Sequence, residues 1–416
     1  MKLTRTQQYE MPFAVLGLAT TPDGAQAYAA CMDGSVHAVE TATGKKEVFE
    51  KKHSSYASGC VLLPDGKTLI SAGYDGTLLW HDVATRKCIR EVKAHSFWSW
   101  QMALSPDGTR VASVTGQYIA GGWKYEPAAE SEPSVRVYDT ASGALVASYN
   151  HTPPVLSCAF SPDSKHLAAA NMMGEVRVWD VQSKDGKPVS QWTSPDFTSW
   201  GTTKSHHYSG GIYSLVFSPD GNALLGCGMG PMGDPMAGNG KMTWQRWDWR
   251  AGKKLDQIKD GQHGSGLMET QAFHPDGQHF FMAGRQAQGT WNAALFSAAA
   301  GGSLAADRSK AVDFTVKSEP MTVAPNPGRY EPVGACCGQI HRPADERSFR
   351  SIGLRRWWPK NAHRRWPPPR GPDWPGAGTR RRCCAGRRPR PAAPTTRPHG
   401  VHGRRFPCCV SRPPRR

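Results

Sequence analysis

Short apolar runs recur along most of the chain, each bounded by turn-forming residues. "SLVF" (214–217) and "QMAL" (101–104) stand before a turn, and "TLISAG" (68–73) and "HLAAA" (166–170) after one. Runs of this length are too short for amphipathic helices and read as strands. The turn between them is a Pro-Asp-Gly word or a near relative: "TPDG" at Thr21, "LPDG" at Leu63, "SPDG" at Ser105, "SPDS" at Ser161, "SPDG" at Ser218 and "HPDG" at His274. Pro sets φ at the second position, Asp bonds back to the local backbone, and Gly accepts a positive φ. Each word therefore predicts a β-hairpin. A third run follows and ends in an aromatic or polar pair, as in "LLWHD" from Leu78, "VRVYD" from Val135, "VRVWD" from Val176 and "WQRWD" from Trp244. A second turn ("ATRK", "ASGA", "RAGKK") then leads into a fourth strand such as "KCIREV" or "ALVASY".

The turn prolines lie 42, 42, 56, 57 and 56 residues apart. A repeat of this size is one four-stranded meander, which cannot bury both its faces alone and must stack on its neighbours. The words and the spacing resemble the blades of the WD40-repeat β-propeller family, over roughly residues 10 to 306. The expected fold is all-β: a WD40-like β-propeller with six legible four-stranded blades and a damaged or missing seventh, then a disordered Arg/Pro-rich tail. The expected divisions are 1–306 for the propeller, 307–350 for a transition holding a remnant of the seventh blade, and 351–416 for the tail.

A histidine stands 11 or 12 residues before five of the turn prolines: His53, His95, His151, His207 and His263. The resemblance implies that such a His joins a Ser or Thr of the second strand, an Asp of the next turn and a Trp of the third strand in a hydrogen-bonded set. Carried over, one repeat matches in full, with His53, Ser71, Asp75 and Trp80. The role implied is structural, since a satisfied buried network rigidifies a blade. His95 has Ser113 but no turn Asp, with Tyr138 in place of Trp. His151 has Trp179, but "NMMG" replaces the Asp turn. One His per blade does not build a metal site, because zinc ligands must converge within about 2 Å of one point. No metal or cofactor is expected.

Net charge, +17 overall, changes meaning when it is divided along the chain. From Cys336 to Arg416 there are 21 basic and 3 acidic residues, leaving 30 and 31 in the rest. Twenty of those 21 are Arg, among dense Pro with scattered Trp and Cys, and no period of 2 or 3.6 is found. Three readings compete: a disordered basic extension, an Arg-rich nucleic-acid-binding arm, and translation of a GC-rich gene in the wrong frame. The third is preferred. Read one base forward, codons for "LRRWWPK" at Leu354 can spell Ser-Ala-Asp-Gly-Gly-Arg-Lys, which has the form of the recurring turn. Five Cys are scattered singly (31, 60, 88, 158, 227) and six form three Cys-Cys pairs after residue 335. Neither pattern has zinc-ligand spacing or demands an oxidising compartment. No signal peptide or membrane span is recognised, so a cytoplasmic, monomeric protein is expected.

Extra residues fall in connections that open on one face of such a propeller. They follow the turns at Ser105 ("TGQYIAGGWKYEPAAESEPS") and Ser218 ("GMGPMGDPMAGNGKM"), and "SPDFTSWGTTKS" precedes His206. Tyr56, Trp98 and Trp100 stand at the tops of first strands, and the insertions add Trp123, Tyr125, Phe197, Trp200, Met229, Met232 and Met236. Aromatics and methionines placed together on a face have the chemistry of a protein or peptide contact surface. Candidates for catalysis are His206, His207, Asp196 and Asp234, but no motif fixes their mutual geometry. The expectation is a non-catalytic scaffold for protein or peptide partners, without membrane association. The alternative is nucleic-acid or acidic-partner binding through the Arg-rich tail, if that tail is genuine.

Overall fold

The computed structural model describes residues 7–116, 118–121, 124–127, 132–200, 208–234, 239–260, 267–274, 279–285, 293–297, 312–314 and 337–339. All belong to the first of two units, Met1–Trp358; the second, Pro359–Arg416, lies outside the described residues, as do the readings made above for the tail.

Each turn word closes a hairpin as its chemistry requires. In the first, Gly24 N–H donates to Thr21 O at 2.9 Å, Asp23 Oδ1 accepts from Ala25 N–H at 2.9 Å, and Gly24 has φ +68°. Ser164 replaces this glycine in the fourth repeat and still takes φ +60°. Its hydroxyl accepts Asp107 N–H of the preceding repeat at 3.1 Å, a bond that glycine cannot make.

The first sheet comprises β1 (Val15–Thr20), β2 (Gln26–Cys31), β3 (Val36–Glu40) and β4 (Lys46–Val48). The second has β5 (Ala57–Leu62), β6 (Thr68–Gly73), β7 (Thr77–Asp82) and β8 (Cys88–Lys93). The third holds β9 (Gln101–Leu104) and β10 (Arg110–Val114), then an inserted hairpin of β11 (Tyr118–Gly121) and β12 (Lys124–Pro127), then β13 (Val135–Asp139) and β14 (Leu145–Tyr149). The fourth has β15 (Val155–Phe160), β16 (His166–Asn171), β17 (Glu175–Asp180) and β18 (Ser190–Thr193). The fifth comprises β19 (Thr198–Trp200), β20 (Tyr208–Phe217), β21 (Ala223–Asp234), β22 (Asn239–Asp248) and β23 (Lys253–Asp260). The sixth has β24 (Leu267–Phe273), β25 (His279–Arg285), β26 (Ala293–Ser297) and β27 (Val312–Phe314).

All six are antiparallel meanders of the expected kind. β27 lies beyond residue 306, so residues read above as transition complete the sixth sheet. β28 (Cys337–Gln339) pairs parallel to β1, with Gly17 opposite Cys337, and packs beside β24 as well. Among the described residues there is no seventh four-stranded sheet.

Strand alternation sends side chains to both faces of a sheet, and from the first sheet to the sixth the facing sides of successive sheets are buried against each other. Ile70, Leu78 and Trp80 of the second sheet pack against Leu104, Val111 and Tyr138 of the third. Val135, Val137 and Tyr149 of the third meet Val155, Leu167 and Trp179 of the fourth, and Val176 and Val178 meet Ile212, Leu224 and Trp247 of the fifth. The first strands stand side by side around an axis: β1 by β5, β5 by β9, β9 by β15, β15 by β20, and β20 by β24. They approach closely, and a Cβ added to Gly17 would lie 2.5 Å from Gly59 Cα.

The insertions are not loops in the main. β21 and β22 continue past the sheet as a long hairpin with Met232 opposite Gly240, and Met229 is buried within it. Pairing satisfies backbone groups that a loop would leave to water. The register is interrupted between Met229 and Met232, where Pro231 has no N–H to give.

Candidate functional site

Asp75, in the turn between β6 and β7, receives the backbone N–H of Ser54 (2.8 Å) and Thr77 (3.0 Å) and lies 3.1 Å from His53 Nδ1. With that nitrogen carrying the proton, His53 Nε2 accepts the Ser71 hydroxyl at 2.9 Å. Ser71 Oγ in turn accepts from His81 Nε2 at 3.0 Å. Burial by itself would raise the Asp75 carboxyl. The hydrogen bond and attraction of His53, with the two backbone donors, outweigh it and lower the group to about 2. Burial, with His53 and Lys51 nearby, pushes His81 down to about 4.

The fourth member of this set is therefore His81, which corrects the expectation of Trp80. Ser71 stands opposite Leu79 in the register, so His81 shares the Ser71 face of β7 and Trp80 points to the other. There Trp80 Nε1 donates to Thr140 O of the third sheet at 2.8 Å, beneath the Arg90 guanidinium. Asp75, His53 and Ser71 have the order of a hydrolytic triad, but the Ser71 side chain is fully buried and open to no substrate. Their role is to tie the β6–β7 turn to the segment entering β5.

The set thins in the next two sheets. His95 Nε2 meets Ser113 Oγ at 2.8 Å, and the Tyr138 hydroxyl donates to Ala94 O at 3.2 Å instead of completing the chain. Ala169 of the fourth sheet stands where Ser71 and Ser113 stand, so no hydroxyl bridges His151 and Trp179, whose rings meet edge-on at 6.0 Å. Both His151 ring nitrogens and Trp179 Nε1 are buried without a hydrogen-bond partner. His206, His207 and His263 lie outside the described residues. Asp196 Oδ2 accepts from Gln245 Nε2 (3.0 Å) and Lys254 Nζ (3.2 Å), and Asp234 falls at the end of β21. Among the described residues no three His, Cys, Asp or Glu side chains are grouped to hold a metal ion.

The residues at the tops of the first strands converge. Trp98 stacks on Tyr74 (4.7 Å between centroids, 5° between planes) and on Phe97 (4.9 Å, 14°). Trp100 is edge-on to both Trp98 (5.3 Å) and Tyr74 (5.4 Å), and Tyr56 leans on Tyr74 at 5.5 Å. Tyr74 at the base is buried, whereas Tyr56, Phe97, Trp98 and Trp100 are each half-buried. The result is an aromatic band across the second and third sheets, partly open to solvent. Tyr74 carries this band and was missed in the sequence, where "AGYDG" reads only as a turn. Trp123 and Met236 lie outside the described residues; Tyr125 (opposite Ala120 in β12), Trp200 (opposite Tyr208 in β19) and Met232 are placed by their backbones alone.

Three segments, 45–82, 143–180 and 199–230, match the family described as "WD domain, G-beta repeat". Two of them run from the fourth strand of one sheet to the Asp that ends the third strand of the next, Asp82 and Asp180. These three segments are WD40 repeats. The chain is 34% identical over 98 residues to the "SAGA complex/transcription factor TFIID complex subunit Taf5" of Schizosaccharomyces pombe, a match covering 23% of this chain and 14% of that relative. Among solved structures, Kuenenia stuttgartiensis hydrazine synthase superposes with a TM-score of 0.55 at 17% identity, over 71% of this chain and 80% of that one. That likeness is one of fold. WD40 repeats serve in general as protein-interaction scaffolds, and the Schizosaccharomyces pombe relative is a subunit of a complex. Among the described residues no helix is long and apolar enough to cross a membrane.

Proposed function

We propose that this chain is a non-catalytic WD40 scaffold that holds partner proteins or peptides on the face bearing the inserted hairpins. The observation that carries the reading is the half-buried band of Tyr56, Phe97, Trp98 and Trp100 around buried Tyr74. Such rings offer rigid apolar area at little entropic cost, the property of residues that dominate interface energies. Their hydrogen-bonded surroundings keep them in place: Trp100 Nε1 donates to Gly116 O at 2.9 Å, and the Thr115 hydroxyl donates to Trp98 O at 2.7 Å.

The test is affinity capture of partners with the full chain, its Tyr56→Ala/Trp98→Ala variant, and a control variant at exposed Ile89 on an outer strand. Loss of capture with the double variant and retention with the control is expected, at unchanged unfolding midpoints. Equal capture by all three sinks the reading. The Arg-rich segment supports the second reading, nucleic-acid binding, on its charge alone. Under it, removal of residues after 350 abolishes a salt-dependent RNA or DNA interaction that the aromatic variant leaves intact.

A further inference from the structure

In the second sheet the turn acid fastens the residue that follows the buried histidine: Asp75 Oδ2 accepts Ser54 N–H at 2.8 Å and the Ser54 hydroxyl at 3.3 Å. Ser96 follows His95 in the same way, but the third repeat has no turn Asp to hold it. A carboxylate from farther along the chain takes that place. Glu132 stands between the inserted hairpin β11–β12 and β13. Its Oε1 accepts Ser96 N–H at 3.2 Å, and its Oε2 accepts the Ser96 hydroxyl. Arg136 of β13 steadies it, donating from Nη2 to Glu132 Oε1 at 2.9 Å and from Nη1 to Ala94 O. The replacement is partial, since His95 Nδ1 is buried without the acceptor that Asp75 gives His53.

The other root of the insertion grips the same short stretch. Thr115, directly after β10, donates its hydroxyl to Trp98 O at 2.7 Å, and its N–H goes to Ser134 O at 2.9 Å, which joins the start of the insertion to its end. The stretch from Ser96 to Trp98 is therefore held on either side of Phe97 by the two ends of one insertion. Phe97 and Trp98, stacked on each other, are the half-buried rings of the aromatic band in this stretch. Rings on a free loop lose backbone and rotamer freedom on meeting a partner, whereas rings fixed beforehand do not. Ser96 itself is exposed, and bonds to an ionised carboxylate are roughly twice as strong as neutral ones.

We propose that Glu132 is a positioning residue for the aromatic band: through Ser96 it fixes where Trp98 stands, so that the insertion and the band act as one surface. Its consequence for partners rests on the reading that they sit on this face. Its effect on Trp98 does not.

The test is the fluorine NMR spectrum of the full chain carrying fluorotryptophan, with the Trp98 line assigned as the one lost in Trp98→Phe. Glu132→Ala is expected to displace or broaden the Trp98 line and to leave that of Trp247, buried in the fifth sheet, in place. Glu132→Gln, which keeps an acceptor for Ser96, is expected to hold the Trp98 line near its wild-type position. A merely structural role would lower the unfolding midpoint and move many lines together. Ser96→Ala removes one bond of the clamp without touching Arg136. It is expected to move the Trp98 line in the same direction and less far, and it decides the matter where Glu132→Ala does not fold. A Trp98 line unmoved in both Glu132→Ala and Ser96→Ala overturns the proposal, as does a Trp247 line displaced equally, or a Glu132→Gln line displaced as far as that of Glu132→Ala. If the Trp98 line moves as expected while Tyr56→Ala/Trp98→Ala captures partners as the wild type does, the clamp stands and the partner reading falls.

Discussion

His81 Nε2 donates to Ser71 Oγ at 3.0 Å, so an imidazole N–H fills the place that an indole N–H was expected to fill. The bond ends a buried chain running from Asp75 through His53 and Ser71. Removing its centre leaves more than one group unpaired. Ser71→Ala is expected to cost about 2–3 kcal/mol, and His81→Leu, which strands only one lone pair of the serine, about 1 kcal/mol. Trp80→Phe loses the bond to Thr140 O between sheets and little of the network. Urea unfolding of the three variants checks this order. A Trp80→Phe cost exceeding that of Ser71→Ala would reverse the assignment.

In the fourth sheet the same chemistry is incomplete and can be repaired. Ala169 stands at the serine position, with three buried ring nitrogens of His151 and Trp179 unpartnered. Ala169→Ser is expected to stabilise the chain by about 1 kcal/mol, since it supplies both a donor and an acceptor. Thermal unfolding reads the gain. A midpoint that stays put or drops shows that the site has no room for the hydroxyl.

Two glycines at opposite ends of β6 differ in kind. A Cβ on Gly73 would lie 2.4 Å from His53 Nδ1 and 2.8 Å from Asp75 Oδ1. Gly73→Ala is expected to cost about 2–3 kcal/mol by forcing the buried ring aside. Gly66 has open space around its missing Cβ but φ +65°, so Gly66→Ala costs about 1 kcal/mol of backbone strain. Similar denaturation midpoints for the two variants would show that the His53 pocket gives way more easily than its packing implies.

Stability is expected to fall with acidity in two separate windows. Burial, aided by Arg136, pushes His95 down to about 3, as burial and His53 push His81 to about 4. An unfolded histidine titrates near 6.5, so below that pH the unfolded chain takes up protons that the folded one refuses. Stability is therefore full above about 6.5 and drops toward pH 4, by up to about 1.4 kcal/mol per pH unit for each histidine. Asp75 acts lower: its folded value of about 2 lies below the ordinary carboxylate range, so its contribution is present above about 4 and is lost toward 2. Denaturant midpoints at pH 7.5, 6 and 5 should decline in the wild type and decline less in His95→Gln. A flat profile over that range contradicts the burial of neutral imidazoles.

What the order of residues determined here is the repeat. Pro-Asp-Gly turns, short apolar runs and their spacing specify local hairpins, and a hairpin's chemistry is contained in a few neighbouring residues. The antiparallel meanders and the places of His53, His95 and His151 before their first strands followed from that. Tertiary structure decided what each residue faces. "LLWHD" places an aromatic beside an imidazole, and only the pairing of Ser71 with Leu79 shows that His81, one position on, shares the serine's side. The residue six before a turn proline could be counted in the sequence, but that the first strand bulges there in five sheets shows only in the pairing of two strands. Trp80 and Thr140 lie on different sheets 60 positions apart in the chain. They meet through a hydrogen bond because the sheets stack face to face, a relation that no local spacing encodes.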